Sequence, residues 1–167
     1  LSKYKLIYLH VPKTGGNSIQ SALLPYSDDS RVVTHRQDGK NDFTIRGRVT
    51  PTKHATLQQY YHVLGDNLFD YKVAVSVRHP VARSVSYYFT PSRWTRVKRL
   101  PVLNVGIVYQ TKPRWNEDAF FEIIQSQMRP ATEYLYVNGK LVEPNYVLKA
   151  ENLAEDFGRM CREMGIP

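Results

Sequence analysis

Two segments constrain this chain more than any other feature: Tyr4 to His10 (YKLIYLH) and Tyr71 to Val77 (YKVAVSV), each rich in aliphatic and aromatic residues, each followed at once by a helix signal. A strand without polar alternation is buried on both faces, as in a parallel sheet covered by helices. The first leads through the turn PKTGGN into a helix predicted over Ser18 to Leu24. The second leads to Pro80, suited to the first turn of a helix running to about Phe89. A last strand, Tyr146 to Lys149, precedes Asn152-x-x-Glu155, a capping-box pattern that opens a helix ending near Gly165. In between, Arg31 to Thr34 and Phe43 to Arg48 read as short strands around Asp38-Gly39, and Ala55 to Leu64 as a helix stopped by Gly65. Asn116 is predicted to cap a helix through Gln127, and Asn138-Gly139 signals a hairpin between Tyr134 to Val137 and Leu141 to Val142. Strands alternating with helices predict an α/β fold, a largely parallel sheet flanked by helices, with ligands at the carboxyl ends of its strands.

At 167 residues and 42% hydrophobic content the chain can bury one core, so a single domain over residues 1–167 is expected. The longest apolar run, Leu100 to Tyr109, is too short to span a bilayer and is broken by Pro101, Asn104 and Gly106, so no membrane span is expected. One cysteine excludes a disulfide framework and any multi-cysteine zinc site. Cys161 shares helical spacing with Leu153, Phe157, Met160 and Met164 and is read as core. The formal charge of +8 points to an anionic partner. Its distribution sharpens the point, because no acidic residue lies between Asp70 and Glu117, while Arg78, Arg83, Arg96, Lys98 and Arg99 do.

The turn His10-Val-Pro-Lys-Thr-Gly-Gly-Asn-Ser18 carries the chemistry. Two glycines let the backbone curl, and the following helix aims its N–H groups at the turn, forming a nest for an anion. Lys13 adds a positive charge, and Thr14 and Ser18 add hydroxyl donors. A nucleotide kinase or ATPase loop has its glycines before the lysine, as in G-x-x-x-x-G-K-[ST]. Here Pro12 precedes Lys13 and the glycines follow. The second strand ends in Arg78, where Mg-dependent phosphoryl transfer would call for a metal-binding aspartate. No metal is expected.

HVPKTGGNS resembles the 5′-phosphosulfate loop of sulfotransferases that use 3′-phosphoadenosine-5′-phosphosulfate (PAPS), above all those acting on carbohydrates, with Asn17 in place of a usual threonine. VSVRHPVARSVSYYF (Val75 to Phe89) resembles the family's 3′-phosphate motif, with His79 in place of a usual Asp or Asn. The resemblance extends through the 117–127 helix and NYVLKAENLAEDF. It implies the sulfotransferase fold with its P-loop-type parallel sheet flanked by helices, PAPS as donor with 3′-phosphoadenosine-5′-phosphate (PAP) as product, and a carbohydrate or glycolipid acceptor. Relatives continue past the last helix into a segment that covers the nucleotide, so a C-terminal segment is expected to be lacking here.

Carried over by position, the resemblance implies that Lys13 neutralises charge on the leaving 5′-phosphate, held by backbone N–H groups of Thr14, Gly15, Gly16, Asn17 and Ser18. Arg78 and Ser86 would bind the 3′-phosphate, while Arg83 is open between nucleotide and structural roles. An alcohol acceptor needs a base. His54 stands in Pro51-Thr-Lys-His54, a position resembling the histidine of some polysaccharide sulfotransferases; His35, His62 and Glu151 are further candidates. His10 is read as structural. The competing functions are a small-molecule kinase and a basic nucleic-acid-binding module; no recognition motif supports the second, and no nucleic-acid partner is expected. The expected location is cytoplasmic for a bacterial protein and the Golgi lumen for a fragment of an anchored eukaryotic one.

Overall fold

The computed structural model describes residues 1–32, 44–90, 95–100 and 105–167, with backbone alone for most of the two strands at 95–110. In chain order the elements are β1 (Leu6–Leu9), α1 (Gly16–Leu23), β2 (Ser30–Val32), β3 (Thr44–Arg46), α2 (Leu57–Leu64), β4 (Lys72–Val77) and α3 (Pro80–Tyr88). There follow β5 (Thr95–Leu100), β6 (Val105–Gln110), α4 (Glu117–Gln127), β7 (Tyr136–Val137), β8 (Lys140–Leu141), β9 (Tyr146–Lys149) and α5 (Leu153–Met164). They divide into two compact units, one of Leu1–His79 with Arg129–Pro167, the other of Pro80–Met128.

The first unit is built on a three-stranded parallel sheet in the order β1-β4-β9. Leu6 to Leu9 pairs with Lys72 to Val75, and Ala74 to Val77 pairs with Tyr146 to Lys149. All four residues of β1 are buried, as the absence of polar alternation predicted. Side chains alternate between two cores. Ile7, Leu9, Val73 and Val75 pack with Leu57, Tyr60 and Leu68 and with Tyr134, Leu135 and Val137. Leu6, Tyr8, Ala74 and Leu148 pack on the other face with Ile19 and Leu23 of α1 and with Met160 and Ile166. Cys161 packs against this second core, and burial pushes its thiol up, in keeping with a core role. Because all three strands run the same way, the turns after β1, β4 and β9 leave one edge of the sheet.

The predicted element ends shift for identifiable reasons. β1 begins at Leu6, since Lys5 adopts a left-handed φ of 48° after a single 3-10 turn. α1 starts at Gly16, so the second glycine of the loop is helical. Thr56 and Gln59 form a capping box that opens α2: the Gln59 N–H donates to the Thr56 hydroxyl and the Thr56 N–H to Gln59 Oε1. The box predicted at Asn152 and Glu155 does not form, and Asn152 makes no side-chain cap bond. Instead Asp156, a buried carboxylate one turn on, accepts the Lys149 N–H at 2.9 Å and pairs with Arg159 at 3.0 Å. A 3-10 turn over Ala150–Asn152 leads directly into α5 and leaves Asn152 at ψ 33°, outside the extended conformation that a side-chain cap uses. The Asn138-Gly139 turn forms with positive φ at both residues and joins Tyr136–Val137 to Lys140–Leu141; the first of these strands is shorter than predicted, because Ala131–Leu135 coils into a 3-10 turn. β2 and β3 pair antiparallel; Thr34, Asp38 and Gly39 of that prediction lie outside the described residues.

In the second unit Asn116 Oδ1 accepts the Ala119 N–H at 2.7 Å and caps α4 as predicted. Tyr88, 2% exposed, lies among Phe89, Trp115 and Phe120; its hydroxyl donates to the Arg114 carbonyl and accepts the Asn116 N–H. Tyr87 donates to the Gln127 carbonyl, tying α3 to the end of α4. The run Leu100 to Tyr109 is divided between the end of β5 and β6, an antiparallel pair that its hydropathy alone did not reveal. No helix among the described residues is long and apolar enough to cross a membrane.

Leu9 is fully buried at the centre of the first core. Leu9→Ala should cost about 2–5 kcal/mol of stability. Urea unfolding is expected to show a lower midpoint at an unchanged slope.

Candidate functional site

The turn between β1 and α1 is shaped by its backbone. Gly15 caps α1 at φ 82°, a left-handed conformation that glycine adopts without a Cβ penalty. Lys13 holds φ 69° with a full side chain, which costs on the order of 1–2 kcal/mol. Strain of this kind survives only where the surroundings enforce it, and it concentrates at functional turns. A Cβ on Gly16 would fall inside the imidazole of His10, so only glycine fits there. The first turn of α1 then presents the backbone N–H groups of Gly15, Gly16 and Asn17 ahead of the intrahelical ladder. The Ser18 N–H already donates to the Gly15 carbonyl at 3.1 Å, which leaves the exposed Ser18 hydroxyl as that residue's donor.

Beneath the turn runs a chain of buried hydroxyls. Thr14 is fully buried, and its Oγ1 lies 2.7 Å from the Val11 carbonyl and 2.6 Å from Ser76 Oγ. Tyr8 donates to Ser76 Oγ at 2.7 Å. A carbonyl can only accept, so the Thr14 proton goes to Val11. Ser76 must therefore donate to Thr14 and Tyr8 to Ser76, and every proton in the chain is placed. Burial pushes the Tyr8 phenol well above its ordinary range, keeping it a donor. This corrects the expectation that Thr14 offers its hydroxyl to a ligand: that proton is donated to the Val11 carbonyl inside the protein. Aligned hydroxyls strengthen one another.

His10, 5% exposed, ends β1 with its ring against Gly16 and its Nδ1 2.9 Å from Gln20 Oε1. Its carbonyl accepts the Nδ1–H of His54 at 2.9 Å, and the two imidazole centroids are 4.5 Å apart. That bond determines the tautomer of neutral His54: Nδ1 carries the proton, so Nε2 carries the lone pair. His54 itself is exposed. The two other described base candidates lie elsewhere. His62 sits on the exposed face of α2, with Nε2 3.0 Å from the Gln58 amide. Glu151, after β9, accepts the His79 N–H at 2.8 Å; that bond, with weaker contributions from its own backbone, Arg78 and His79, holds its carboxyl below the usual range and weakens it as a base. His35 lies outside the described residues.

Arg78, partly exposed, follows β4 directly, two residues past Ser76. The turn it occupies is braced by the Glu151 bond to its neighbour His79. The structure thus gathers Lys13, Thr14, Gly15, Gly16, Asn17, Ser18, His54 and Arg78 into the unit that contains the parallel sheet. Ser86 and Arg83 lie on α3 in the second unit, Ser86 partly exposed and Arg83 buried. Sequence reasoning missed Tyr8, Ser76 and Gln20. The only hint was a lone serine in the otherwise apolar VAVSV, two residues before an arginine.

A parallel sheet whose first strand leads through a lysine- and glycine-bearing turn into a helix N-terminus defines an α/β protein with its candidate site at the carboxyl ends of the strands. The chain belongs to the sulfotransferase family, whose model matches residues 1–167. No curated protein and no solved structure matches it significantly. The family supports sulfuryl transfer as the general reaction.

Ser76→Ala removes the middle of the hydroxyl chain and strands its neighbours, so it should cost about 1–3 kcal/mol, whereas Thr14→Ser should be milder because it keeps the hydroxyl. Chemical denaturation of both variants checks this. The depressed Glu151 carboxyl stabilises the fold above the ordinary carboxylate pKa, and that contribution is lost as pH falls through its lowered value. The melting temperature of the wild type should therefore exceed that of Glu151→Gln at neutral pH and converge with it in acid.

Proposed function

We propose that this protein transfers a sulfuryl group from PAPS to a hydroxyl of a carbohydrate acceptor by in-line displacement. The observation that carries the reading is that His54, with its lone pair on Nε2, is hydrogen-bonded to the first residue of the anion-binding turn itself. A base and an anion site side by side are what hydroxyl sulfation requires. The donor set suits a phosphate: backbone N–H groups at a helix start, a lysine ammonium and a serine hydroxyl, with no carboxylate among residues 10–18.

PAPS would supply an activated sulfuryl group on a phosphate leaving group. Gly15, Gly16 and Asn17 hold the 5′-phosphate through their backbones, Ser18 through its hydroxyl, and Lys13 offsets the charge that grows there. Arg78 grips the 3′-phosphate; a guanidinium suits a two-pronged bond to it. His54 Nε2 accepts the acceptor's proton as the acceptor oxygen forms its new bond to sulfur and the bond from sulfur to the phosphate oxygen breaks. The products are the sulfate ester, PAP and a proton carried away by the base. The basic stretch between Asp70 and Glu117 favours an acceptor that is itself anionic, such as a uronic or already sulfated polysaccharide.

PAP should raise the melting temperature more than equal ADP or ATP, with little effect of magnesium. Arg78→Ala should weaken PAP binding roughly 10- to 100-fold while hardly changing ADP. His54→Ala should lower turnover roughly 10²- to 10⁴-fold at nearly intact PAP affinity, measured with labelled PAPS on a panel of polysaccharides. An ATP-preferring, magnesium-dependent response would overturn the assignment.

A further inference from the structure

His10 touches both halves of the proposed chemistry. Its ring occupies the space where a Gly16 side chain would be, directly behind the start of α1. Its carbonyl sets the tautomer of His54, and its ring meets the His54 ring edge to face at 4.5 Å. Gln20, on the next turn of α1 and itself 6% exposed, holds the His10 ring through Nδ1. Tyr8 stacks on its other side at 6.3 Å. A buried ring clamped in this way cannot follow a shift of α1 without moving its own carbonyl and hence His54.

We infer that His10, oriented by Gln20, is a positioning residue that couples occupancy of the anion-binding turn to the alignment of His54. The inference rests on the reading of that turn as the donor site and of His54 as the base. Binding of an anion against Gly16 presses on the His10 ring, and the carbonyl bond passes the change to the His54 imidazole. Donor binding then sets the base before an acceptor arrives. Because coupling is reciprocal, whatever loosens His10 also weakens the grip on the donor.

The test uses the full chain with ¹⁵N-labelled histidine and PAP as the probe, which requires no acceptor. In the wild type, PAP should shift the His54 ring nitrogens while Nδ1 stays protonated. Gln20→Met, which removes the acceptor at similar size, should lose most of that shift, let the other tautomer appear and weaken PAP binding roughly fivefold or more. Gln20→Glu, which keeps an acceptor facing Nδ1, should retain the shift, and a thermal melt of each variant confirms folding. If PAP binds the wild type but His54 does not respond, or if folded Gln20→Met behaves as wild type, the coupling is refuted and the donor site stands. Failure of PAP to bind the wild type removes the donor-site reading and this inference with it.

Discussion

The hydrogen bonds from Tyr8 to Ser76 to Thr14 to the Val11 carbonyl tie β1, β4 and the turn after β1 into one body. Each donor has one acceptor and the direction of every proton is forced, so the chain has a single low-energy arrangement. It lies in the sheet's interior, where an unpaired hydroxyl would be costly, and this makes it restrictive. The left-handed Lys13 and Gly15 sit directly above it. A strained backbone needs an anchor, and Thr14, between them, is that anchor. The same interaction holds the turn at a set distance from Ser76, and therefore from Arg78 two residues further along the strand.

Charge and geometry have separate origins in this site. Geometry comes from apolar packing and neutral hydrogen bonds: two cores on opposite faces of the sheet, His10 against Gly16, and the hydroxyl chain. Charge comes from groups that are at least partly exposed: Lys13, in the turn after β1, and Arg78, directly after β4. A buried cation would lose much of its hydration and shift its equilibrium toward the neutral form. Placing cations at the rim of a rigid neutral scaffold avoids that cost. Glu151 supports this division by bracing the Arg78 turn through a backbone N–H, an interaction that does not consume the arginine's own hydrogen-bonding capacity.

What was legible in the sequence was local. Unbroken apolar runs revealed β1 and β4, a proline and two glycines revealed their turns, and Asn138-Gly139 revealed its hairpin, because each depends on residues near in sequence. What was not legible depends on partners far along the chain. Ser76 is 62 residues from Thr14 and 68 from Tyr8, and nothing in the strand pattern says that three hydroxyls will meet. Asn152 had the right spacing for a cap, yet a 3-10 turn over Ala150–Asn152 carries the chain into α5 without one, and a spacing rule does not read backbone conformation. The Thr14 hydroxyl was read as a ligand donor because its type suits that role; only the fold shows where its proton goes. His54 stood out by residue type and position, but its tautomer is set by a carbonyl 44 residues away.

The Asn138-Gly139 turn has a bearing on how the protein ages. In a flexible chain this dipeptide is the one most prone to lose its side-chain amide, because the glycine nitrogen can swing onto the asparagine side-chain carbon and close a ring. Here Gln58 on α2 grips Asn138 at two points, accepting its backbone N–H at 2.6 Å and donating to its Oδ1 at 3.3 Å. Both reacting partners are held in a paired hairpin, so ring closure must wait for local opening. Conversion of Asn138 to aspartate or isoaspartate would accordingly act as a slow chemical clock of how often this corner of the fold comes apart.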